Sequence, residues 1–569
     1  NLVAGTVTLS TVNYTNSEVI KIKATNALDA NVFGRSNSIL IVDNIGNCPD
    51  IDIDENQTWQ AQDAPNGVFD CRGLGTFNVR SGFTLTLRSY DNGDTNWTND
   101  FGVTILADAF NIESGAIVSA DALGYGPSRG PGNPNTTHMG ASHGGYGSTS
   151  GGAGNKAPYG SVYEPLMLGS AGGVIDRYSY GGGSIKLVSS TSFTHNGTIT
   201  VNGSMSPSGW SGGGSAGSVW IDTVDISGSG LITANGGRGD QNGGGSGGRV
   251  AVYYENNISS SFNFRNIQAR GNNGGWGGAY AGAGTVYVEQ KGVDVANQGW
   301  IIVDNNNFGG GNYAGLTEGN YTFNKISLKR LGHLAVLGQN SVFNLSTANA
   351  IDGDSTKPKL RTDGTFMYLG TEALVINGID LEIKGDLVGV NNFSLGTALA
   401  GGMTLYAKTW AFDNTRQYTF ENINVGSSGT LTLVSYDNGD TNWTNDYGVS
   451  LTVDNLTVNS SGKITADGLG YGPLRGPGNP NTTHTGASHG GYGSTSAGVG
   501  NRAPYGSVYE PVMLGSAGGV SDRYSYGGGS IKLNVSGLLE NNGTISANGS
   551  MSPSGWSGGG SGGSIWVDA

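Results

Sequence analysis

The chain has 569 residues, of which 102 are glycine, and carries a formal net charge of −14. Glycine far above its usual share of about 7%, with no Gly-X-Y period, excludes collagen and indicates a repeat architecture or several domains. Because nucleic acids and anionic membranes favour clusters of Lys and Arg, the acidic balance argues against both as partners, and no apolar run approaches the ~20 residues that span a bilayer.

The first 45 residues have a strand pattern and contain little glycine. Alternating apolar residues at 3–9, 19–24 and 38–42 predict the closing strands of a small β-sandwich, with Asn-Ala-Leu-Asp at 26–29 as a hairpin turn. The chain begins without Met and ends partway through a repeat. We therefore expect it to be a processed piece or a segment of something longer.

An acidic segment at 46–74 contains both cysteines, Cys48 and Cys71. In an extracellular protein the default for such a pair is a disulfide, and the alternative is two free buried thiols in a reducing compartment. We predict the disulfide, because the other features of the sequence point outside the cell. The run from Asp50 to Glu55 either attracts a cation or forms a solvated edge strand that resists pairing.

Farther along, glycine-rich stretches lead into short apolar strands at intervals of 31 to 36 residues. The first series of strands is centred on Ile185, Val219, Val250 and Val286. A second series follows in phase at 199–201, 232–234 and 267–269. Alternate residues are apolar in both series, which is typical of half-buried strands, and a fixed period of 20–50 residues indicates a stacked array.

These patterns predict an all-β fold, a parallel β-solenoid in which the first-series residues stack on one face. Asn202-Gly203 and Asn235-Gly236 are predicted to lie at its corners, where residues with positive φ are needed. The predicted domains are a β-sandwich-like segment at 1–45, the Cys-containing acidic loop at 46–74, a glycine-rich solenoid at 75–300, glycine-poor coils or connecting strands at 301–430, and a second glycine-rich solenoid at 431–569.

The chain also repeats itself at an offset of 346 residues, without insertion or deletion, so that 87–223 returns as 433–569. From Ala120 to Leu187, 60 of 68 positions are identical in the second copy, whereas from Phe101 to Ser119 only 4 of 19 are. Ordinary drift gives the opposite result, because loops tolerate change more readily than packed strands. We infer that the glycine-rich segment 120–187 is the constrained part and forms a displayed surface.

This glycine-rich segment is either an ordered excursion from one coil or a flexible Gly/Ser linker. It contains six tyrosines, whereas disordered segments contain few aromatic residues. The tyrosines are Tyr125, Tyr146, Tyr159, Tyr163, Tyr178 and Tyr180. We predict an ordered segment.

Several phrases of the sequence resemble a known class of repeats. Gly-Gly-Gly-Ser-x-Gly-Ser-Val/Ile-Trp and Gly-Gly-Arg-Val-Ala-Val-Tyr-Tyr, followed by Ala-Gly-Thr-Val-Tyr-Val and by Ile-Val-Asp-Asn from Ile302, are similar to glycine-rich repeats of very large secreted surface proteins of bacteria and archaea. The resemblance covers roughly residues 80–430 and recurs from 431. It implies a parallel β-helix with an adhesin-like or appendage-forming role.

The best candidate ion site is the run Asp-Asn-Gly-Asp-Thr-Asn-Trp-Thr-Asn-Asp at 91–100, repeated at 437–446. Its Asp and Asn oxygens suit Ca²⁺, which takes six to eight oxygen ligands. The alternative is an Asx-rich turn that hydrogen-bonds its own backbone. The candidate ligands are Asp91, Asp94, Asp100, Asp437, Asp440 and Asp446.

Asn-x-Ser/Thr sequons recur at the same places in both copies, which predicts surface glycosylation, with chance sequons as the alternative. The candidates are Asn96, Asn135, Asn196, Asn202, Asn442, Asn481, Asn542 and Asn548. Asn96 cannot be both glycosylated and a calcium ligand.

Enzymatic activity is the rival class, since parallel β-helices also host polysaccharide lyases and glycosidases. The glycine-rich segment contains His138, His143, Glu164, Asp176 and Arg177. None belongs to a recognisable catalytic motif, Asp176-Arg177 is most simply a surface ion pair, and the histidine spacing is weak for a metal. We predict no catalytic residue, because fold analogy alone would support one.

The interpretation favoured by the sequence is a structural subunit of an extracellular cell-surface filament, a homopolymer assembled through its Gly/Tyr-rich segments. The candidate assembly contacts are Tyr146, Tyr159, Tyr163, Tyr178, Tyr180, Tyr492, Tyr505, Tyr509, Tyr524 and Tyr526. The alternative is an adhesin that binds glycans or another cell through the same aromatic side chains.

Overall fold

The computed structural model describes the chain outside residues 1–21, 27–28, 35–47, 137, 149–155, 175–176, 207–210, 241–242, 276–279, 348–349, 408–416, 483, 495–501, 521–522 and 553–557. The described residues form an almost entirely β structure with four short 3-10 helices, at Ala61–Asp63, Pro65–Gly67, Phe264–Asn266 and Trp443–Asn445. The chain divides into two compact units. Unit 1 comprises Asn1–Ala296 and Phe308–Ala314, and unit 2 comprises Asn297–Asn307 and Gly315–Ala569.

The strands of unit 1 are short and most of them pair in parallel. They are β1 (Ile22–Asn26), β2 (Asp29–Gly34), β3 (Asp52–Ile53), β4 (Gln57–Gln60), β5 (Val68–Asp70), β6 (Thr76–Val79), β7 (Thr84–Arg88), β8 (Val103–Ile112), β9 (Ile117–Ser119), β10 (Gly172–Val174), β11 (Arg177–Ser179), β12 (Ser184–His195), β13 (Thr198–Thr200), β14 (Ser218–Asp222), β15 (Asp225–Ser227), β16 (Leu231–Thr233), β17 (Arg249–Tyr254), β18 (Asn257–Ile258), β19 (Ile267–Gln268) and β20 (Thr285–Gln290).

Two parallel sheets organise unit 1, one in the order β20-β17-β14-β12-β8-β6-β3 and the other in the order β19-β16-β13-β9-β7-β4. In the first sheet Ile185 lies opposite Val219, Val219 opposite Val250, and Val250 opposite Val286, and all four are buried. This confirms the predicted stack. Strands from successive repeats therefore pair in register, and their β-branched side chains fill one continuous interior.

The interior of unit 1 continues as a column of aromatic rings. The ring centroids of Phe77 and Phe110 are 5.4 Å apart, and those of Phe110 and Phe193 are also 5.4 Å apart. All three side chains are at most 2% exposed. They occupy equivalent register positions on β6, β8 and β12, so one apolar position in each repeat builds the column.

Unit 2 has the same parallel pairing. Its strands are β21 (Trp300–Asp304), β23 (Asn320–Phe323), β24 (Lys325–Lys329), β25 (His333–Val336), β26 (Val342–Leu345), β27 (Ile351–Asp352), β28 (Lys359–Thr362), β29 (Thr365–Tyr368), β30 (Leu374–Ile376), β31 (Asp380–Ile383), β32 (Leu387–Val388), β33 (Asn392–Leu395), β34 (Gly401–Tyr406), β35 (Gln417–Val425), β36 (Gly429–Val434), β37 (Val449–Val458), β38 (Lys463–Thr465), β39 (Gly518–Val520), β40 (Arg523–Ser525), β41 (Ser530–Val535), β42 (Leu539–Asn541), β43 (Thr544–Ser546) and β44 (Ser564–Asp568). One more strand, β22 (Tyr313–Leu316), has residues in both units.

Parallel sheets of unit 2 run in the orders β25-β28-β31-β34-β36-β38-β43, β23-β26-β29-β32 and β30-β33-β35-β37-β41-β44. A buried Phe column again marks the interior, with ring centroids 6.2 Å apart between Phe323 and Phe343 and 5.9 Å apart between Phe343 and Phe366. Strands of the glycine-poor stretch 301–430 thus pair in parallel like those of the glycine-rich stretches.

Near the amino end, β1 and β2 form an antiparallel pair in which Asn26 lies opposite Asp29. The predicted strands at 3–9 and 38–42 lie outside the described residues, and the β-sandwich stays a prediction. The predicted disulfide is confirmed: Cys48 and Cys71 are bonded, with their Cα atoms 5.2 Å apart.

The positive φ predicted for Asn202-Gly203 and Asn235-Gly236 is wrong, because none of these four residues has one. Their place at coil corners stays a prediction. Glycine is needed there for space instead. A Cβ on Gly203 would overlap the carbonyl oxygen of Gly214. A Cβ on Gly236 would likewise overlap the carbonyl oxygen of Gly245.

Candidate functional site

The glycine-rich segment 120–187 packs against neighbouring extended segments, among them 213–217 and 243–248. We call this arrangement, which lies outside the sheets, the glycine layer. In unit 1 it is best seen at 213–217, where each backbone N–H donates to another segment at 2.8–3.1 Å. Donors three residues apart share an acceptor segment. The donor–acceptor pairs are Gly213–Gly243, Gly214–Ser204, Ser215–Ser170, Ala216–Ser246 and Gly217–Val201.

The segment 243–248 has the same period of three. Its first and fourth residues donate to 138–141, and its third and sixth donate to 234–237. The pairs are Gly243–His138, Gly245–Gly237, Ser246–Ala141, Gly247–Gly282 and Gly248–Ala234. A flat strand bonds to two neighbours, whereas an extended chain with three residues per turn points its amides in three directions, as in polyproline II geometry. The glycine layer is therefore a bundle of such extended segments.

Close packing in this bundle explains why glycine recurs without a Gly-X-Y period. A Cβ on Gly140 would overlap the carbonyl oxygen of Gly244, and one on Gly217 would overlap that of Gly183. Each segment is enclosed by backbone on several sides, so most of its positions exclude a side chain. This packing within unit 1 is a physical reason why residues 120–187 tolerate few substitutions. It explains their high identity with the second copy without contacts to another molecule.

A loop rich in Asp and Asn, residues 91–100 of unit 1, is fastened to the glycine layer by Arg129. The Nε atom of Arg129 donates to Asp91 Oδ2 at 2.7 Å, and Nη2 donates to Asp91 Oδ1. The same guanidinium donates to the carbonyl oxygens of Gly93 at 2.8 Å and Asp94 at 2.7 Å, and lies 5.2 Å from the ring centroid of Trp97. We call this arrangement the arginine clasp.

Unit 2 contains an equivalent clasp on residues 437–446. Arg475 donates through Nε to Asp437 at 2.5 Å, and to the carbonyl oxygens of Gly439 and Asp440 at 2.8 Å each. It also lies 5.3 Å from the ring centroid of Trp443. The ion pair raises the pKa of Arg475, as it does that of the equivalent arginine in unit 1. Bidentate pairing of this kind fixes geometry as well as charge.

Within the loop of unit 1, the carboxylates act as acceptors for their own neighbours. Asp94 Oδ1 accepts from the Asn96 N–H at 2.7 Å, and Oδ2 accepts from the side chains of Asn92 at 2.9 Å and Asn99 at 3.1 Å. The donation from Asn99 contributes most to lowering the pKa of Asp94. Asp100 is buried and accepts from the Asn92 N–H at 2.9 Å. These are the contacts of an Asx-rich turn.

The predicted calcium ligands therefore have protein partners in both units. In unit 2, Asp446 accepts from the hydroxyl of Tyr471 at 3.0 Å, and burial raises the pKa of this carboxyl. In the part of the chain that the structure describes, no group of three or more His, Cys, Asp or Glu side chains is arranged to hold a metal ion. Calcium binding by Asp91, Asp94, Asp100, Asp437, Asp440 and Asp446 stays a prediction.

Most of the predicted glycosylation sites are on the surface. The exposed asparagines are Asn96, Asn135, Asn196, Asn442, Asn481, Asn542 and Asn548. Asn202 differs, because it is half-buried and its Nδ2 donates to Thr200 Oγ1 at 2.6 Å. Occupancy of these sites stays a prediction.

The described residues that the enzymatic alternative would need differ in burial. His143 is completely buried, its ring stacks on Tyr159 at 4.6 Å, and its Nδ1 lies 2.7 Å from the carbonyl oxygen of Ala216. Burial lowers the pKa of His143 to about 3, so the imidazole is neutral near pH 7. Glu164 is exposed, and His138 is half-buried with a φ of 73°. Asp176 and the side chain of Arg177 lie outside the described residues.

The tyrosines predicted as assembly contacts divide into buried and exposed groups. Tyr159 is buried and its hydroxyl donates to the Leu168 carbonyl oxygen at 2.7 Å, while the half-buried Tyr505 donates to that of Leu514 at 2.6 Å. Tyr159 is thus a core residue of unit 1, and its packing leaves little surface for contact with another chain. Tyr146 and Tyr163 are half-buried. The exposed members are Tyr180 (40%), Tyr526 (41%), Tyr492 (71%) and Tyr509 (91%). The side chains of Tyr178 and Tyr524 lie outside the described residues.

Comparison of the chain with protein-family models, curated proteins and solved structures finds no match. In the described part of the chain, no helix is long and apolar enough to cross a membrane.

Two features of this site went unrecognised at the level of sequence. Arg129 reaches a partner 38 positions away in the chain, and the only signal for it was the repetition of its Gly-Pro-x-Arg-Gly context. Arg249 is 1% exposed and donates through Nε to the Tyr159 carbonyl oxygen at 2.9 Å. The signal in the sequence was a charged residue directly after Gly-Gly and before a buried apolar strand. A charge in such a place needs dedicated hydrogen-bond partners.

Proposed function

We propose that this chain is a structural subunit of an extracellular cell-surface filament or appendage. In this proposal the parallel sheets of each unit are the faces of a β-solenoid, and the glycine layer is a rigid excursion from it. Register-matched parallel strands with a continuous interior support the solenoid. The disulfide between Cys48 and Cys71 is compatible with an oxidising compartment.

The observation that carries the assembly proposal is the matched exposure of Tyr180 and Tyr526. They occupy the same place in the two copies and are 40% and 41% exposed. Each ring lies beside a glycine, Gly126 and Gly472 respectively, at which an added Cβ would come within 3.4 Å of the ring. A rigid backbone support orders the aromatic side chain in advance, which lowers the entropy cost of a contact.

Two identical aromatic contacts on one chain suit a polymer, because a heterologous interface that does not close propagates as a filament. The test is electron microscopy and sedimentation of the Tyr180→Ser/Tyr526→Ser double variant. We expect it to stay monomeric under conditions in which the wild type polymerises, with unchanged circular dichroism. Leu399→Ser, which changes a 45% exposed apolar residue elsewhere, serves as the control and should polymerise.

A wild type that stays monomeric at every concentration would contradict the filament proposal. The same exposed tyrosines then support the second candidate, an adhesin in which they stack on sugar rings. Glycan binding that disappears in the double variant would favour that function.

A further inference from the structure

The disulfide of unit 1 closes a short segment of strands into a covalent ring. Cys48 precedes β3, Cys71 directly follows β5, and the bond joins them. Between the two cysteines lie β3, β4 and β5, which pair in parallel with β6, β7 and β8 respectively. We call residues 48–71 the disulfide ring. The bond therefore links the two ends of a segment that is attached to the rest of unit 1 by three strand pairings.

The two ends of the disulfide ring differ in how the rest of unit 1 holds them. Cys71 is fully buried, and its N–H donates to a carbonyl oxygen of β8 at 2.7 Å. Just beyond it, the N–H groups of Gly73 and Gly75 donate to the carboxylate of Asp108 at 2.9 and 3.0 Å. Cys48 is half-buried, and β3, which follows it, is two residues long. The Cys71 end is thus the fixed one, and the disulfide ties Cys48 to it.

Aromatic packing of the disulfide ring covers one end of the aromatic column of unit 1. The ring centroid of Trp59 lies 4.9 Å from that of Phe69 and 5.6 Å from that of Phe77, which stands at this end of the column. Trp59 is 4% exposed and Phe69 is 1% exposed. Separation of β4 from β7 would therefore remove Trp59 from Phe77 and let water reach the apolar interior.

Ion pairs at the surface add little to this attachment. Arg80 donates to Asp52 of β3 at 2.6 and 3.1 Å and to Glu113 at 2.9 Å. The Arg80 and Asp52 side chains are 41% and 43% exposed, so water and salt screen their attraction. Exposed pairs of this kind shift an opening equilibrium by less than about fivefold. The attachment of the Cys48 end then depends on short strands, on Trp59 and on the disulfide.

We propose that the disulfide between Cys48 and Cys71 is a redox-sensitive latch. The oxidised latch keeps the disulfide ring closed over the aromatic column, and reduction by a dithiol lets β3 and β4 separate from β6 and β7. Opening frees the backbone edges of β6 and β7, and exposed strand edges accept further strands. The pairing of β12 with β14 persists, because it does not involve the disulfide ring. The proposal rests on contacts within unit 1 and not on filament assembly.

The chemistry of opening is thiol–disulfide exchange. A thiolate of the dithiol attacks the sulfur of Cys48, the less buried of the two cysteines, and Cys71 leaves as a thiolate that takes up a proton. The second thiol of the dithiol then displaces Cys48, and the reagent becomes a disulfide. Two electrons and two protons pass from the dithiol to the protein, so both cysteines end as thiols. An added disulfide such as oxidised glutathione reverses the exchange.

The test is hydrogen exchange of the full-length protein, read by mass spectrometry before and after reduction under native conditions. In the chain-entropy account, release of a loop of 23 residues changes an opening equilibrium by about a hundredfold. We expect the amides of 52–60 to exchange about a hundredfold faster in the reduced protein and to recover on reoxidation with oxidised glutathione. The amides of 184–195 and 218–222 should exchange at the same rate in both states.

Two variants separate the latch from other causes. Cys48→Ala/Cys71→Ala removes the bond without a reductant and should exchange at 52–60 like the reduced wild type. If this variant does not fold, the wild type still decides the question, because it is folded before it is reduced. Arg80→Gln removes the surface ion pairs and keeps the disulfide, so exchange at 52–60 should accelerate by less than about fivefold.

Three outcomes would overturn the proposal. The first is unchanged exchange at 52–60 after complete reduction, with both thiols identified by alkylation after denaturation. The second is equal acceleration at 52–60 and 184–195, which would mean that the disulfide stabilises unit 1 as a whole. The third is an Arg80→Gln variant that opens as far as the reduced protein, which would assign the attachment to the ion pairs.

Discussion

Gly144 packs against Gly248 so closely that a methyl group on Gly144 would overlap the carbonyl oxygen of Gly248. The Gly144 N–H also donates to the neighbouring Gly247 carbonyl oxygen at 3.0 Å. The two glycines come from segments about a hundred residues apart in sequence. Contacts of this kind between backbone segments help to order the glycine layer of unit 1.

Gly144→Ala should therefore destabilise the glycine layer by about 3 kcal/mol, since the atoms that the methyl group would meet belong to the backbone of Gly247 and Gly248 and not to a flexible side chain. The matched variant is Gly490→Ala at the equivalent position of unit 2, where no described atom is near the added methyl group. It should change stability by less than about 1 kcal/mol and can be mildly stabilising, because alanine restricts the unfolded chain. Hydrogen exchange of residues 243–248 and 486–494 distinguishes the two. Similar exchange in both variants would show that the packing is not selective for glycine.

The arginine clasp gives a second prediction. Arg129→Lys removes the bidentate geometry with Asp91 and two bonds to backbone carbonyl groups, which a single ammonium cannot replace. Exchange of the amides of 91–100 should accelerate about 10- to 30-fold, a loss of about 2 kcal/mol of local stability. Arg475→Lys should have the same effect on 437–446. Arg88→Lys, at an exposed position, is the control and should leave both loops unchanged.

The strands were predictable because side chains carry their signal. Val219 and Val250 stand at equivalent positions of an apolar phrase that recurs at a nearly fixed spacing, and this period predicts stacked parallel strands. The same reasoning predicted the disulfide between Cys48 and Cys71 from residue type and context alone.

The glycine layer was not predictable in this way, because glycine has no side chain to show which direction each residue faces. Its period of three appears only in the hydrogen-bond partners of 213–217 and 243–248. For the same reason the sequence predicts a positive φ at Asn202-Gly203, although Gly203 is needed to avoid the backbone of Gly214. Long-range pairs such as Arg129 with Asp91 depend on this layer, so the sequence did not reveal them.

The calcium prediction for the Asp-rich loops is tested by chelation. A ligand that binds only the folded state raises the melting temperature, so added Ca²⁺ should raise it and a chelator should lower it. The Asp94→Asn/Asp440→Asn double variant should abolish that difference while keeping acceptor oxygens for the neighbouring donors. If the melting temperature is the same with Ca²⁺ and with chelator, these residues form an Asx-rich turn and do not bind calcium.

Buried histidine predicts a loss of stability at acid pH. His195 is fully buried against Gly230, and burial lowers its pKa to about 4 in the folded protein, below the ordinary value of 6.5. The folded state thus favours the neutral ring. The stability of this arrangement is complete above about pH 6.5 and is lost as the pH falls from there toward 4, by about 3 kcal/mol at pH 4.

His195→Asn isolates this effect, since Asn541 occupies the equivalent position in the second copy. Asparagine does not titrate, so the melting temperature of the variant should fall less steeply between pH 7 and pH 4 than that of the wild type. His143, whose pKa burial lowers to about 3, remains in the variant and retains its own part of the acid sensitivity. The same slope in both proteins would mean that protonation of His195 is not coupled to unfolding.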